Sequence, residues 1–280
     1  MDINAQGRII DYKAPLDYEM MNTYLDVLAE RYSIVSVISI GQTVLGKRIP
    51  LISIGRGKKS VLYVGCCSGT DIGTASVLLR YINEYCDHIV SDSRIYNCSA
   101  AYLFATRTIV VVPMLNPDGA EYYVNGAEQN NPFYERMIKG ADLSKWRGNA
   151  RGVELRENFG ESFDNASSIY CEPETGALRN YLMFNRDIKL VLSLNKSKHG
   201  VVSTHEGSTP PRLNSLGRAL AGMCITEYER QNVKNSLCSF CAGELIIPCF
   251  ELNSTYVDQT DVFTDYCRQR KALFLAPTLI

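Results

Sequence analysis

Short, continuous apolar runs alternate with segments of helical periodicity along this chain, and this alternation constrains the fold more than any other sequence feature. Val61 to Gly65 and Thr108 to Pro113 are apolar runs of this kind, whereas Ala75 to Tyr85 has the spacing of a helix. Continuous apolar runs of this length are typical of strands that are buried on both faces of a sheet. The pattern therefore predicts an α/β fold with helices covering a mixed, mostly parallel sheet.

The other segments fit the same layered arrangement. Ile34 to Ile40 and Ile49 to Ile54 are β-rich and predict a hairpin, and Asn116-Pro-Asp-Gly119 predicts a turn because proline fixes φ and glycine tolerates a positive φ. Further strands are predicted at 189–194, 201–204 and 245–252, helices at 17–32, 174–184, 213–230 and 261–273, and a long surface excursion at 123–149. Because no linker is evident, we expect one domain over residues 1–280.

Composition narrows the function classes. A formal net charge of −1 gives no reason to expect a nucleic-acid or anionic-membrane partner, and the apolar runs are too short to span a bilayer. The first residues, MDINAQGRII, lack a basic start followed by an apolar stretch, so we expect no signal peptide and a cytoplasmic location. The sequence leaves the oligomeric state open.

The chain contains 10 cysteines, which we expect to be reduced thiols, many of them in the core. Cys238 and Cys241 have the spacing of half a structural zinc site, but the sequence has no second pair at that spacing. A structural zinc is therefore not expected, because such sites normally supply four ligands.

Several longer segments occur in a characteristic order: GQTVLGKRIPLISIG, VLYVGCCSGTDIGTASVLLRYI, VVPMLNPDGAEYYVNG and WRGNARGVELRENFG. Together they resemble the zinc carboxypeptidases, and more closely the bacterial members that cut γ-D-glutamyl-diaminopimelate bonds in cell-wall peptides. The resemblance covers nearly the whole chain. It implies an α/β/α sandwich around a sheet of roughly eight strands, arranged as a single zinc-carboxypeptidase-like domain.

The resemblance also implies where a zinc ion would be held in the family. Its three ligand positions fall on Ser68 and Asp71, which follow the Val61 to Gly65 strand, and on Asn195 at the end of the 189–194 strand. Histidine is expected at the first and third positions and glutamate at the second. Serine and asparagine are poor zinc ligands compared with imidazole, so no cofactor is expected at these positions.

The resemblance places the remaining functional positions as follows. Arg147 matches the arginine that stabilises the oxyanion, and the substrate-carboxylate motif falls on Arg156-Glu157-Asn158, where Glu157 replaces the arginine that contacts the carboxylate. The general-base glutamate aligns with Asn253, whereas Glu251 lies two residues earlier on the same face of a strand. The register between these two positions stays open.

These losses favour the hypothesis of a catalytically inactive homologue that binds a peptide, a cell-wall fragment or a protein partner. One alternative is an active zinc metallocarboxypeptidase with a site rebuilt from Cys67, Asp71 and His199, in which case zinc is the cofactor. A thiol nucleophile at Cys67, with His199 or His205 as base, is a further alternative. The last is a structural or regulatory subunit with a vestigial pocket.

A geometric prediction accompanies this reading. We expect Arg147 to be the counter-charge of Asp71 or Glu157, since a buried unpaired carboxylate is neutralised instead. The residues expected to line one cleft are Ser68, Asp71, Arg147, Glu157 and Asn195.

Overall fold

An eight-stranded mixed sheet runs through the centre of the protein. The computed structural model describes residues 15–127, 131–160, 171–198, 200–204, 209–255 and 259–280. The strands are β1 (Val35–Gln42), β2 (Arg48–Gly55), β3 (Lys59–Val64), β4 (Arg94–Ile95), β5 (Cys98–Ser99), β6 (Arg107–Val112), β7 (Ile188–Lys196), β8 (Gly200–Thr204), β9 (Tyr228–Gln231) and β10 (Cys249–Ser254). The helices are α1 (Tyr18–Arg31), α2 (Ile72–Val90), α3 (Ala100–Thr106), α4 (Pro117–Asn125), α5 (Pro173–Phe184), α6 (Leu213–Cys224), α7 (Leu237–Phe240) and α8 (Gln259–Leu275).

The strand order in the main sheet is β1-β2-β6-β3-β7-β10-β8-β9, and β4 pairs with β5 in a separate two-stranded sheet. Four of the seven pairings in the main sheet are parallel, namely β6 with β3, β3 with β7, β7 with β10 and β8 with β9. The other three are antiparallel, including the predicted β1–β2 hairpin. The mixed, mostly parallel sheet is thus confirmed.

Alternate residues of β3 enter different cores, which shows that helices cover both faces of the sheet. Val61 and Tyr63 pack in one cluster with residues of α1, α2, α6 and α8, whereas Leu62 and Val64 pack in another with residues of α5 and α7. Because successive side chains of a strand point to opposite faces, the two clusters lie on opposite sides of the sheet. The architecture is therefore the three-layered α/β/α sandwich.

Three predicted boundaries are wrong for local reasons. The Asn116 turn is the start of α4, because the Asn116 side chain accepts a hydrogen bond from the Gly119 N–H at 2.9 Å and caps the helix. Helix α6 ends at Cys224, where Ile225 takes a φ of 55°, and the segment after it forms β9. Strand β10 begins only at Cys249, since Cys241–Leu245 form a π-helical turn.

Strands β3, β7 and β10 are parallel neighbours, so their carboxyl ends meet at one edge of the sheet. Val64 near the end of β3 pairs with Ser193 of β7, which confirms the predicted proximity of these two strand ends. Among the described residues, no helix is both long and apolar enough to cross a membrane.

Candidate functional site

Four polar side chains form a compact patch on one face of the sheet at its carboxyl edge. Asn253 of β10 is the register partner of Asn195 of β7, and Glu251 is the partner of Ser193. Residues two apart in a strand share a face, so all four side chains project from the same side. This register places Glu251 and Asn253 together in the site, one strand position from the predicted ligand Asn195.

The loop that follows β3 brings Ser68 and Asp71 to this patch, and both are buried. The Asp71 N–H donates to the Ser68 carbonyl at 2.9 Å, and Asp71 occupies the N-cap position of α2. Asp71 Oδ2 accepts a hydrogen bond from the Lys196 N–H at 3.2 Å. The carboxylate therefore ties the β3–α2 loop to the end of β7, next to Asn195.

Asn116 holds three backbone segments together behind the site. Its side-chain amide donates to the Cys67 carbonyl at 3.3 Å and to the Gly148 carbonyl at 3.1 Å. The segments approach so closely that a Cβ added at Gly69 would lie 2.5 Å from the Trp146 carbonyl oxygen. Only glycine fits there without moving backbone, so the site loops retain a shared and specific scaffold.

The central cation of the site is Arg156, which the sequence analysis placed in the substrate motif. Its Nη2 lies 3.2 Å from Glu251 Oε2, and both side chains are largely buried. Burial raises the pKa of Asp71 and of Cys67, and the guanidinium opposes this rise more than any other charged group near them does. Arg156 is thus the positive group that faces the acidic side chains at the carboxyl edge.

Burial dominates the titration of these groups. It raises the pKa of Asp71 to about 6, although Arg156 and the Lys196 N–H oppose the shift. Burial also raises the pKa of Glu251, against Arg156 and side-chain hydrogen bonds with Asn253 and Asn195. The pKa of the Cys67 thiol rises to about 12, so the thiol is protonated at neutral pH and is a poor nucleophile.

Arg147 does not have the partner that the sequence analysis expected. Its Nε donates to Glu154 Oε2 at 2.7 Å in a pair whose arginine side chain is 58% exposed, and it contributes only weakly to the pKa of Asp71. The prediction that Arg147 is the counter-charge of Asp71 or Glu157 is therefore wrong. Arg147 lies beside the site, since its carbonyl accepts a hydrogen bond from the Gly69 N–H at 2.9 Å.

Of the other two residues of the predicted substrate motif, one is exposed at the surface and the other stabilises the fold. Glu157 is exposed on a short 3-10 turn. The Asn158 Oδ1 accepts hydrogen bonds from the Glu172 N–H at 2.7 Å and from the Thr175 hydroxyl at 2.6 Å, which fixes the start of α5. Asn158 is thereby engaged in folding, and Arg156 alone of the three faces the acidic groups of the site.

A cavity of about 270 Å³ opens beside Arg156 and extends to the outer strands of the sheet. Its charged lining consists of two cations, Arg156 and Lys198, and three carboxylates. The carboxylates are Glu227, Glu229 and Glu251. Because Arg156 and Glu251 neutralise each other, the remaining charged groups are Lys198, Glu227 and Glu229, which together carry a net negative charge.

The donor set at the family ligand positions does not fit zinc. Ser68 and Asn195 offer neutral oxygens, Asp71 is the one carboxylate among the three, and Arg156 places a positive charge next to it. Over the described part of the chain, no three His, Cys, Asp or Glu side chains are grouped so that they could hold a metal ion. His199 and His205 lie outside the described residues, so the rebuilt site and the thiol–histidine alternative stay predictions.

The cysteines are free thiols, and seven of the ten are buried. Cys238, Cys241 and Cys249 lie together in the core, with Cys238 Sγ 2.8 Å from Cys249 Sγ.

The sequence analysis missed Glu154 and the role of Arg156. The available signal was a change of charge relative to the Asn-Arg-Asn motif that the resemblance implies: Arg156 adds a cation at the asparagine position, and Glu157 adds an anion at the arginine position. The gain at Arg156 could have been matched with Glu251, because both were already assigned to the same site.

Comparison with known proteins finds relatives both in sequence and in fold. Residues 21–236 match the family model described as Zinc carboxypeptidase. The chain is 28% identical over 178 residues to gamma-D-glutamyl-L-diamino acid endopeptidase 1 of Lysinibacillus sphaericus, a match that covers 62% of this chain and 44% of that protein. The chain thus spans less than half the length of this curated relative.

Solved structures show the same fold at low sequence identity. Carboxypeptidase A from Helicoverpa armigera superimposes with a TM-score of 0.70 and 17% identity, covering 96% of this chain and 74% of that chain. Murein-tripeptide amidase MpaA from Escherichia coli superimposes with a TM-score of 0.54 and 17% identity, covering 85% and 92%.

Proposed function

This chain belongs to the zinc carboxypeptidase family, and from that membership we propose that it is a ligand-binding member without zinc-dependent hydrolysis. The observation that carries the proposal is the Arg156–Glu251 ion pair at 3.2 Å. In this pair the guanidinium of Arg156 takes up a carboxylate of the site, and it also acts electrostatically on Asp71 at one of the family's ligand positions. The ligand is a peptide that carries a diamino acid, of the kind named for the Lysinibacillus sphaericus relative.

A guanidinium cannot replace zinc as a catalyst. Zinc acidifies a bound water because it accepts an oxygen lone pair, whereas a guanidinium offers only N–H donors and stays protonated. Arg156 also forms an ion pair with Glu251, which is the carboxylate nearest to the family's general-base position. Among the described residues of the site, no group therefore replaces zinc in acidifying a water, and Glu251 is engaged in an ion pair rather than free to act as a base.

The lining of the cavity beside Arg156 supports a binding role. The cavity beside Arg156 keeps amide and hydroxyl groups that suit a peptide, including Asn253, Gln231 and Ser197. The acidic excess from Glu227 and Glu229 favours a ligand with a free amine over one with a carboxylate at that point. A diamino acid supplies such an amine.

The test measures binding and cleavage on the same ligand. We expect a γ-D-glutamyl-diamino-acid peptide to bind in a calorimetric titration and to be recovered intact by mass spectrometry, with or without added zinc. The matched control ligand replaces the side-chain amine by hydrogen and should bind more weakly. Glu229→Gln should reduce the preference for the amine, whereas Glu135→Gln, at an exposed site outside the cavity, should not.

Two results would overturn the proposal. Chelator-sensitive cleavage of the peptide would show that the chain is an active metallopeptidase. Failure of both the peptide and its amine-free analogue to bind would leave the structural or regulatory subunit as the better account.

A further inference from the structure

We propose that the opposite, amino edge of the sheet carries a second binding site, for an anionic amphiphile with an acidic headgroup and an aliphatic chain. A cavity of about 570 Å³ lies there. Lys59 at the start of β3, Ile188 at the start of β7 and Pro248 just before β10 line it. Because these strands are parallel, this cavity is separated from the carboxyl-edge site by the length of the strands.

The floor and walls of the cavity are aliphatic. Buried side chains form the floor and half-buried ones the walls: Leu182, Ile188, Leu216, Leu245, Ile247, Pro248 and Leu279. A cavity of this volume falls in the range of small-molecule sites, which are mostly apolar with a few placed polar groups. The lining thus fits a short hydrocarbon chain.

Four cations surround this apolar lining, and no Asp or Glu of the described residues shares it. They are Lys59, Arg186, Lys189 and Arg212. Among the described residues none of them forms an ion pair; Lys189 donates to the Arg186 carbonyl at 2.7 Å and Arg212 to the Leu279 carbonyl at 3.3 Å. Several like charges around one cavity repel one another, and an anion in the cavity relieves that repulsion.

Ile280 also lines the cavity, and its hydrogen bond joins it to an arginine outside the rim. The Ile280 carbonyl oxygen accepts a hydrogen bond from Arg107 Nη2 at 2.7 Å, and Arg107 does not line the cavity. This hydrogen bond of Ile280 therefore involves Arg107 and none of the four rim cations.

Ile246 adds an unusual apolar group at the mouth of the cavity. Its φ is 57°, a conformation that a β-branched residue rarely adopts, and its side chain is 60% exposed. An aliphatic chain in the cavity covers this side chain, so the apolar contact compensates part of the local backbone cost.

Headgroup and chain are both required by this arrangement. A simple anion would pair with the cations of the rim but would not contact the aliphatic floor. A neutral hydrocarbon would contact the floor but would leave the four cations unpaired. Carboxylates and phosphates are both suitable headgroups because lysine and arginine bind each of them. The amphiphile is either free in solution or part of a lipid surface, and its chemistry is the same in the two cases.

The experiment titrates the full chain with decanoate and decyl phosphate below their micellar concentrations. Decyltrimethylammonium controls for the chain without the anion, and inorganic phosphate controls for the anion without the chain. We expect both anionic amphiphiles to bind and both controls to fail. Vesicles containing phosphatidylglycerol form a separate arm, which tests whether a lipid surface serves as the source.

Variants locate the site. The double variant Arg186→Glu and Lys189→Glu should weaken decyl phosphate binding by about tenfold or more, because it reverses two rim charges. Ile247→Ser should weaken decyl phosphate binding through the wall while leaving the rim intact. The matched control Lys271→Glu changes an exposed lysine of α8 outside the cavity and should have no effect. Thermal unfolding of each variant checks that it is folded.

Three outcomes would overturn the proposal. The first is that neither anionic amphiphile binds. The second is binding to anionic vesicles that is insensitive to Ile247→Ser and is not accompanied by binding of decanoate or decyl phosphate, which indicates an electrostatic surface interaction rather than a cavity ligand. The third is that an acidic decapeptide binds as tightly as decyl phosphate and is insensitive to Ile247→Ser, which favours an electrostatic protein partner.

Discussion

The charged side chains at the two edges of the central sheet differ in whether they have partners of opposite charge. At the carboxyl edge the two arginines have acidic partners: Arg156 pairs with Glu251 and Arg147 pairs with Glu154. At the amino edge the cations around the larger cavity have no acidic partner among the described residues. The first edge is the one where the family holds zinc, and the second has no assigned role.

This difference distinguishes charged side chains that stabilise the fold from charged side chains that can bind a ligand. Arg156 is mostly buried and faces two acidic groups, so it stabilises the folded chain and cannot readily leave. Lys59 and Lys189 are exposed and cost little to redirect toward a ligand. Substitution of Arg156 should therefore change stability, and substitutions of the amino-edge cations should change binding at that edge.

The largest expected effect concerns zinc affinity in a restored ligand set. Ser68→His, Asp71→Glu and Asn195→His rebuild the family ligands, but Arg156 still places a positive charge beside them. Adding Arg156→Asn should tighten zinc binding by about 100-fold relative to the triple variant, since it removes that repulsion. Competition with a chromophoric chelator measures the difference.

Arg136→Asn, an exposed arginine outside the site, is the control for that comparison and should leave the affinity of the triple variant unchanged. Equal zinc affinity with and without Arg156 would show that the guanidinium is not what opposes the metal.

Removal of Arg156 from the natural sequence should have the largest effect on stability. Arg156→Gln leaves Glu251 and Asp71 buried without their cation, which should cost about 4 kcal/mol in the free energy of unfolding at neutral pH. The cost should shrink toward about pH 5, because the two carboxyl groups then take up protons and need no counter-charge. Urea unfolding at several pH values measures both effects, and an unchanged unfolding midpoint at neutral pH would argue against the ion-pair account.

Asp71 should give the stability of the protein a distinctive pH dependence. Its pKa in the folded state is about 6, above the ordinary value of 3.8, so the folded state binds the proton more tightly than the unfolded state does. The resulting stabilisation is complete below the unfolded pKa and is lost as the pH rises through about 6, with a total of up to about 3 kcal/mol.

Asp71→Asn should therefore flatten the fall in stability between about pH 4 and pH 7, while the exposed control Asp26→Asn should not. If the natural chain instead gains stability over this interval relative to Asp71→Asn, the direction of the shift is wrong.

The smallest effect is expected at Arg147. Its pair with Glu154 is exposed on the arginine side, so Arg147→Ala should cost about 0.5 kcal/mol in thermal unfolding. A loss as large as that of Arg156→Gln would mean that Arg147 supports the buried carboxylates after all.

Most of the fold was predictable because its strands and helices follow from local hydrophobic patterns. Strands β3, β6 and β7 were placed correctly, since a continuous apolar run such as 61–65 is not the pattern of a surface strand or a loop. The end of α6 was not predictable, because it depends on Ile225 adopting a left-handed conformation that its side chain disfavours. Such a residue is held by its tertiary surroundings rather than by its own preference.

The sequence predicted which residues lie in the site, but it did not predict which charged side chains pair with one another there. The resemblance brought Ser68, Asp71 and Asn195 to one strand edge, where the structure places them. The pairing of Arg156 with Glu251 depends on side-chain direction in a loop, which no spacing rule supplies. Arg147 was assigned to the wrong acid for the same reason, because Glu154 lies seven residues along that loop.

The most direct test of the central claim is the zinc content of the natural chain after incubation with zinc and removal of the free metal, measured by inductively coupled plasma mass spectrometry. If Arg156 supplies the positive charge of the site, the protein should retain only substoichiometric zinc, and the natural chain and the Arg136→Asn control should give the same value. Retention of one zinc ion per chain would contradict the account and would move attention to Cys67, Asp71 and His199 as the ligands.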